Sequence, residues 1–84
     1  MKYIATFFSH FGAVRFRRQC SNAGWECEMM PVPRSLSSSC GTCVSYELSL
    51  EDKFLPEDSC QEEIEQVVRL SGDGFEWVYK AENI

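Results

Sequence analysis

The chain has 84 residues, five of them cysteine, and a net charge of -5. That length allows one domain, residues 1–84, and an apolar fraction of 44% excludes a disordered chain. The acidic balance excludes a nucleic-acid groove, which needs clustered Lys and Arg, and no apolar run is long enough to span a membrane.

The opening "MKYIATFFSHFG" has a Lys and then a short apolar stretch with no small-residue cleavage site. It does not read as a signal peptide, so the expected location is cytoplasmic. "KYIATFF" (Lys2 to Phe8) is rich in β-branched and aromatic residues and predicts a strand. It is apolar on both faces, as a central strand is. Ser9 can cap a helix that starts at His10. From His10 to Ala23 the apolar residues Ala13, Phe16, Cys20 and Ala23 recur at helical spacing, and Gly24 supplies a left-handed stop. Arg15, Arg17 and Arg18 fall outside that stripe. They read either as a solvated helix face or as a docking patch for an acidic partner.

"WECEMMPV" alternates, with Trp25, Cys27 and Met29 on one face and Glu26 and Glu28 on the other, which predicts a half-buried strand. Pro31 and Pro33 end it, and "PRSLSSSCGT" is a polar loop. "VSYELSL" alternates again, with Val44, Tyr46, Leu48 and Leu50 inward. After a second loop, Pro56 suits the first turn of a helix, and Cys60, Ile64, Val67 and Val68 trace a stripe to about Leu70. Glu57, Asp58, Glu62 and Glu63 would complement its dipole. "SGDG" is a turn. "FEWVYKA" predicts a last strand, an edge or a tail, with Phe75, Trp77 and Tyr79 on one face. The order β-α-β-β-α-β predicts an α+β fold: a ferredoxin-like sandwich with a four-stranded antiparallel sheet, two helices on one face, and strands one and three central.

An odd number of cysteines in a reducing compartment points to free thiols. Cys20, Cys27 and Cys60 lie on inward faces and read as core residues. Cys40 and Cys43 differ, one in a loop of Ser and Gly and the other at the mouth of a strand. A structural zinc site needs four ligands, commonly two such pairs. One CxxC with a lone His10 does not supply them, so no metal and no cofactor is expected. His10 itself reads as an exposed residue of the capping region. A thioredoxin-type pair needs its first cysteine at a helix N-terminus, but the residues after Cys43 alternate as a strand. What remains is a thiol on a loop whose small residues Ser37, Ser38, Ser39 and Gly41 let backbone N–H groups approach an anion, with Arg34 six residues earlier adding positive charge. The alternative is a flexible polar loop with an incidental thiol.

The run Pro33, Arg34, Ser37, Ser38, Ser39, Cys40, Gly41 resembles the signature of the selenium/sulfur carrier-like family of small bacterial proteins. The resemblance is closest over residues 2–50. It implies that Cys40 carries a sulfur or selenium atom as a persulfide-type adduct, with Arg34, Ser39 and Gly41 as its surroundings, and the loop amides from Ser38 to Gly41 would hold the anion. It also implies donor and acceptor proteins as partners, small sulfur-carrier domains among them, and a sulfur-transfer partner rather than a stand-alone enzyme. Cys43 departs from the family pattern. A cysteine there could resolve a persulfide on Cys40 by forming a disulfide. Two further readings stand beside the carrier. One is a thiol redox switch using Cys40 and Cys43. The other is a non-catalytic interaction module or homodimer, in which some of Tyr3, Phe8, Trp77 and Tyr79 lie in an interface.

Overall fold

Lys2–Phe7 forms strand β1 and lies at the centre of the sheet, with neighbours on both edges and apolar residues on both faces. In the computed structural model, residues 2–36, 38, 40–48, 61–72 and 74–81 are described. Helix α1 spans His10–Asn22, β2 Glu26–Pro31, β3 Thr42–Glu47, β4 Ile64–Ser71 and β5 Gly74–Lys80. The strands form one antiparallel sheet in the order β2-β3-β1-β4-β5.

The start and stop of α1 are set by its flanking residues. The Ser9 hydroxyl accepts from the Gly12 N–H at 3.2 Å, satisfying one orphan donor of the first turn. At the other end Gly24 adopts φ +81°, a conformation open to glycine. The helix turns Ala13, Phe16 and Cys20 onto the sheet and leaves Arg15, Arg17 and Arg18 exposed. It packs mainly on β2 and β3. Beneath it lie Tyr3, Ala5 and Phe7 of β1, Val44 and Tyr46 of β3, and Ile64 and Val67 of β4. Tyr46 stacks on Tyr3 at 5.4 Å and on Trp25 at 5.9 Å, and Phe16 meets its edge at 5.3 Å. Trp25, Cys27 and Met29 pack against this core, and Val44, Tyr46 and Leu48 share it, as their alternation predicts. Leu50 lies outside the described residues. The opposite face of the sheet has a smaller cluster of Ile4, Cys43, Val68 and Leu36.

The expected ferredoxin-like sandwich is not what forms. Among the described residues there is one α-helix and a five-stranded sheet. The stripe Ile64, Val67, Val68 belongs to β4, which comes after a 3-10 turn at Gln61–Glu63. Both faces of β4 are covered, so its apolar residues need not alternate. Three β-branched residues at relative positions 0, 3 and 4 then mimic a helical stripe. Ile64 and Val67 pack toward α1 and Val68 packs on the far face. Pro56, Glu57, Asp58 and Cys60 lie outside the described residues.

The face of the last strand also differs from expectation. Val67 pairs with Tyr79 and Val68 with Trp77, so Val78 is an extra residue in β5. Such a bulge shifts the alternation. Phe75 joins the far cluster while Tyr79 packs on the helix side. Trp77 is 55% exposed, its indole N–H donating to Gln66 Oε1 at 2.7 Å. Of the aromatics weighed as interface residues, Tyr3 is buried and Phe8 is exposed.

Candidate functional site

β2 and β3 are linked between Val32 and Gly41, and Val32 and Leu36 of this link pack on the face away from α1. The ends of the link are tied where the Val32 N–H donates to the Gly41 carbonyl at 3.1 Å. A turn forms where the Leu36 N–H donates to the Pro33 carbonyl at 3.0 Å, and Arg34 is exposed on that turn. Leu36 is the anchor. It is 6% exposed and packs with Val32 on Ile4, Cys43 and Val68. Burial of a leucine side chain is worth about 1.5–3 kcal/mol, so Leu36, helped by Val32, holds a mostly polar loop on the sheet.

Cys40 comes four residues after that anchor and is half-buried. Its N–H donates to the Ser38 hydroxyl at 3.3 Å. Gly41 adopts φ +75°, and no atom lies within 4 Å of where a Cβ would stand. The backbone conformation, not space, therefore asks for glycine there. Ser37 and Ser39 lie outside the described residues. Thr6 is opposite Cys43 in the β1–β3 register, so β3 begins at the end of the sheet where β1 leads into α1. The loop carrying Cys40 is thus at the same end as the N-terminus of α1, where His10 is exposed.

Cys43 is placed differently. It is fully buried, and its thiol donates to the Pro31 carbonyl at 3.7 Å. Burial pushes that thiol up to about 11. Cys20 is also fully buried and is pushed up to about 12, by burial first and then by Cys27 nearby. Cys20, Cys27, Cys40 and Cys43 are free thiols. The structure therefore brings Ser38, Cys40 and Gly41 into one loop with Arg34 at its turn, and it sends Cys43 into the core. Among the described residues no group of three or more His, Cys, Asp or Glu is placed to hold a metal ion. Nor is any helix among them long and apolar enough to cross a membrane.

The two buried thiols make a prediction about stability. Their ordinary value is 9.0. Above it the unfolded chain loses these protons while the folded chain keeps them, so stability falls as pH rises. Stability is expected to be insensitive to them below pH 9 and to decline up to about 11 for Cys43 and about 12 for Cys20. Urea midpoints across that window check this. Cys43→Val should remove its share of the decline, and an unchanged alkaline slope in that variant would contradict the burial.

Leu36 is the site residue that sequence reasoning missed. Its signal was present, a single large apolar residue inside a polar loop. A buried polar contact was also hidden, because the Thr6 hydroxyl donates to Glu65 Oε1 at 3.1 Å and Glu65 fell inside the expected second helix. A groove of about 220 Å³ lies at the other end of the sheet, lined by Lys2, Glu26, Cys27, Glu28, Ser45 and Glu47 among others. Three carboxylates against one ammonium make it a poor seat for an anion.

Comparison with curated proteins and with solved structures returns no match. A family model described as "Putative Se/S carrier protein-like" matches residues 2–72.

Proposed function

The chain belongs to the Se/S carrier protein-like family, and on that premise we propose that Cys40 is the carrying thiol. A carrier needs a nucleophile that a donor and then an acceptor protein can reach. Cys40 supports this reading because it alone among the described cysteines lies outside a strand or helix, in a loop held by Leu36. The transfer conserves oxidation state overall. The Cys40 thiolate attacks the terminal sulfur of a donor persulfide. A new bond forms between Cys40 Sγ and that sulfur, the donor S–S bond breaks, and the donor leaves as a thiolate. The acceptor thiolate repeats the step on Cys40. Selenium would travel in the same way.

Arg34 is proposed to attract the terminal anion of the adduct, and the small residues Ser38 and Gly41 to leave room around it. The N-terminus of α1 lies at the same end of the sheet, and its positive partial charge is proposed to favour an anion at that end. A cytoplasmic setting, where thiols stay reduced, suits this chemistry. The redox reading of Cys40 with Cys43 draws less support. A resolving thiol must reach its partner, and Cys43 is held in the core against the Pro31 carbonyl.

Loading with polysulfide and then cyanolysis tests the proposal. Cyanide removes the outer sulfur as thiocyanate and restores the thiol. The expected result is about one cyanolysable sulfur per chain, lost on addition of a small acceptor thiol. A chain that takes up none would overturn the carrier reading.

A further inference from the structure

A second pair of thiols lies away from Cys40. Cys20 is in the last turn of α1 and Cys27 is in β2, and both belong to the core on the helix side of the sheet. The Trp25 N–H donates to the Cys20 carbonyl at 3.0 Å, so β2 starts against the end of the helix. The Cys27 thiol then donates to the Arg17 carbonyl at 3.5 Å. Arg17 lies one turn before Cys20, and a helical side chain folds back over the turn that precedes it. The side chains of Cys20 and Cys27 thus converge on the same turn of α1. They are open to chemistry unequally. Cys20 is fully buried, while Cys27 is partly exposed on the edge strand β2.

From this placement we propose that Cys20 and Cys27 form an oxidisable dithiol, a modification site separate from the carrier loop. Its oxidant is a small neutral peroxide, because the Cys27 thiol is only partly exposed, packed between β2 and α1, and a bulky or charged oxidant would have to lose its hydration to reach it. Cys27 reacts first. Its sulfur attacks a peroxide oxygen, the O–O bond breaks, and a sulfenic acid and one water result. The Cys20 sulfur then attacks the Cys27 sulfur. The S–S bond forms, the S–O bond breaks, and the hydroxyl leaves as a second water with the Cys20 proton. Two thiols have lost two protons and two electrons, and the peroxide has become two waters. The closing step is slow, because burial pushes the Cys20 thiol up to about 12. Below that value, each unit rise in pH should speed closure about tenfold. The bridge would pin the end of α1 to β2 across the turn at Ala23 and Gly24.

The test treats purified protein with hydrogen peroxide, blocks remaining thiols with N-ethylmaleimide, and maps the peptides. Trypsin leaves Cys20 and Cys27 together in the fragment from Gln19 to Arg34 and Cys40 in the next one. Cleavage after Trp25 then separates the two cysteines unless they are bridged. The expected product is the Gln19–Arg34 fragment short of two hydrogens, unblocked, and held together after that cleavage until reduced. The same product should form in Cys40→Ser, so the result is independent of the carrier reading. In Cys27→Ser, Cys20 should stay a thiol. Cys27 driven to sulfinic acid beside a blockable Cys20, or a bridge from either one to Cys40, would overturn the proposal.

Discussion

Cys40→Ser is expected to bring sulfane-sulfur loading down to background while leaving the fold intact. The side chain is half-buried in a loop, and the bond from the Cys40 backbone N–H to the Ser38 hydroxyl survives a change to serine. Surface changes of this kind usually move stability by no more than about 0.5 kcal/mol. Among the described residues, the other thiols should not substitute for it. Cys20 and Cys43 are buried and pushed up to about 12 and about 11, so at neutral pH only about one in ten thousand Cys43 side chains would be a thiolate. Cys27 is partly exposed and is the control, since Cys27→Ser should load as the parent does. Thermal unfolding and cyanolysis on the three proteins check both halves. Full loading of Cys40→Ser would move the carrier role to another residue.

The largest effect on stability is expected from Phe16→Ala. Phe16 is 2% exposed, with its ring 5.1 Å from Phe7 and 5.3 Å from Tyr46. It is the largest apolar side chain by which α1 reaches the sheet. Truncating a buried phenylalanine costs about 3–5 kcal/mol. A chain of 84 residues has roughly 4–13 kcal/mol in total, so the variant should keep the fold poorly or lose it. Denaturant midpoints measure the loss. A change below about 1 kcal/mol would mean that the site can collapse around the deletion or that α1 contributes little.

Ser9 and Gly24 bracket α1 legibly in the sequence because capping and left-handed stops depend on local chemistry. Alternation is legible in β2, an edge strand with one face on the helix-side core, and in β3, where Ser45 and Glu47 keep the sequence alternating although both faces are covered. The fourth strand is not, since Ile64, Val67 and Val68 sit in a strand covered on both faces, where period carries no signal. Nor is the bulge at Val78 visible before the β4–β5 register is known. At the site, the Ser-rich loop around Cys40 stands out by composition. The fate of Cys43 does not, because its burial comes from Leu36 and Val32 folding back over the sheet. Cys27 shows the reverse. Its place in an alternating strand marks it as core, yet β2 is an edge strand and leaves it partly open.

The most direct test of the carrying role of Cys40 is intact-mass analysis of gently purified protein, before and after reduction, with the modified residue located by peptide mapping. The expected result is a reducible gain of one sulfur or selenium atom on Cys40, either as isolated or after incubation with a sulfane donor. A Cys40 that stays an unmodified thiol under both conditions, or a gain located on another cysteine, would contradict that role.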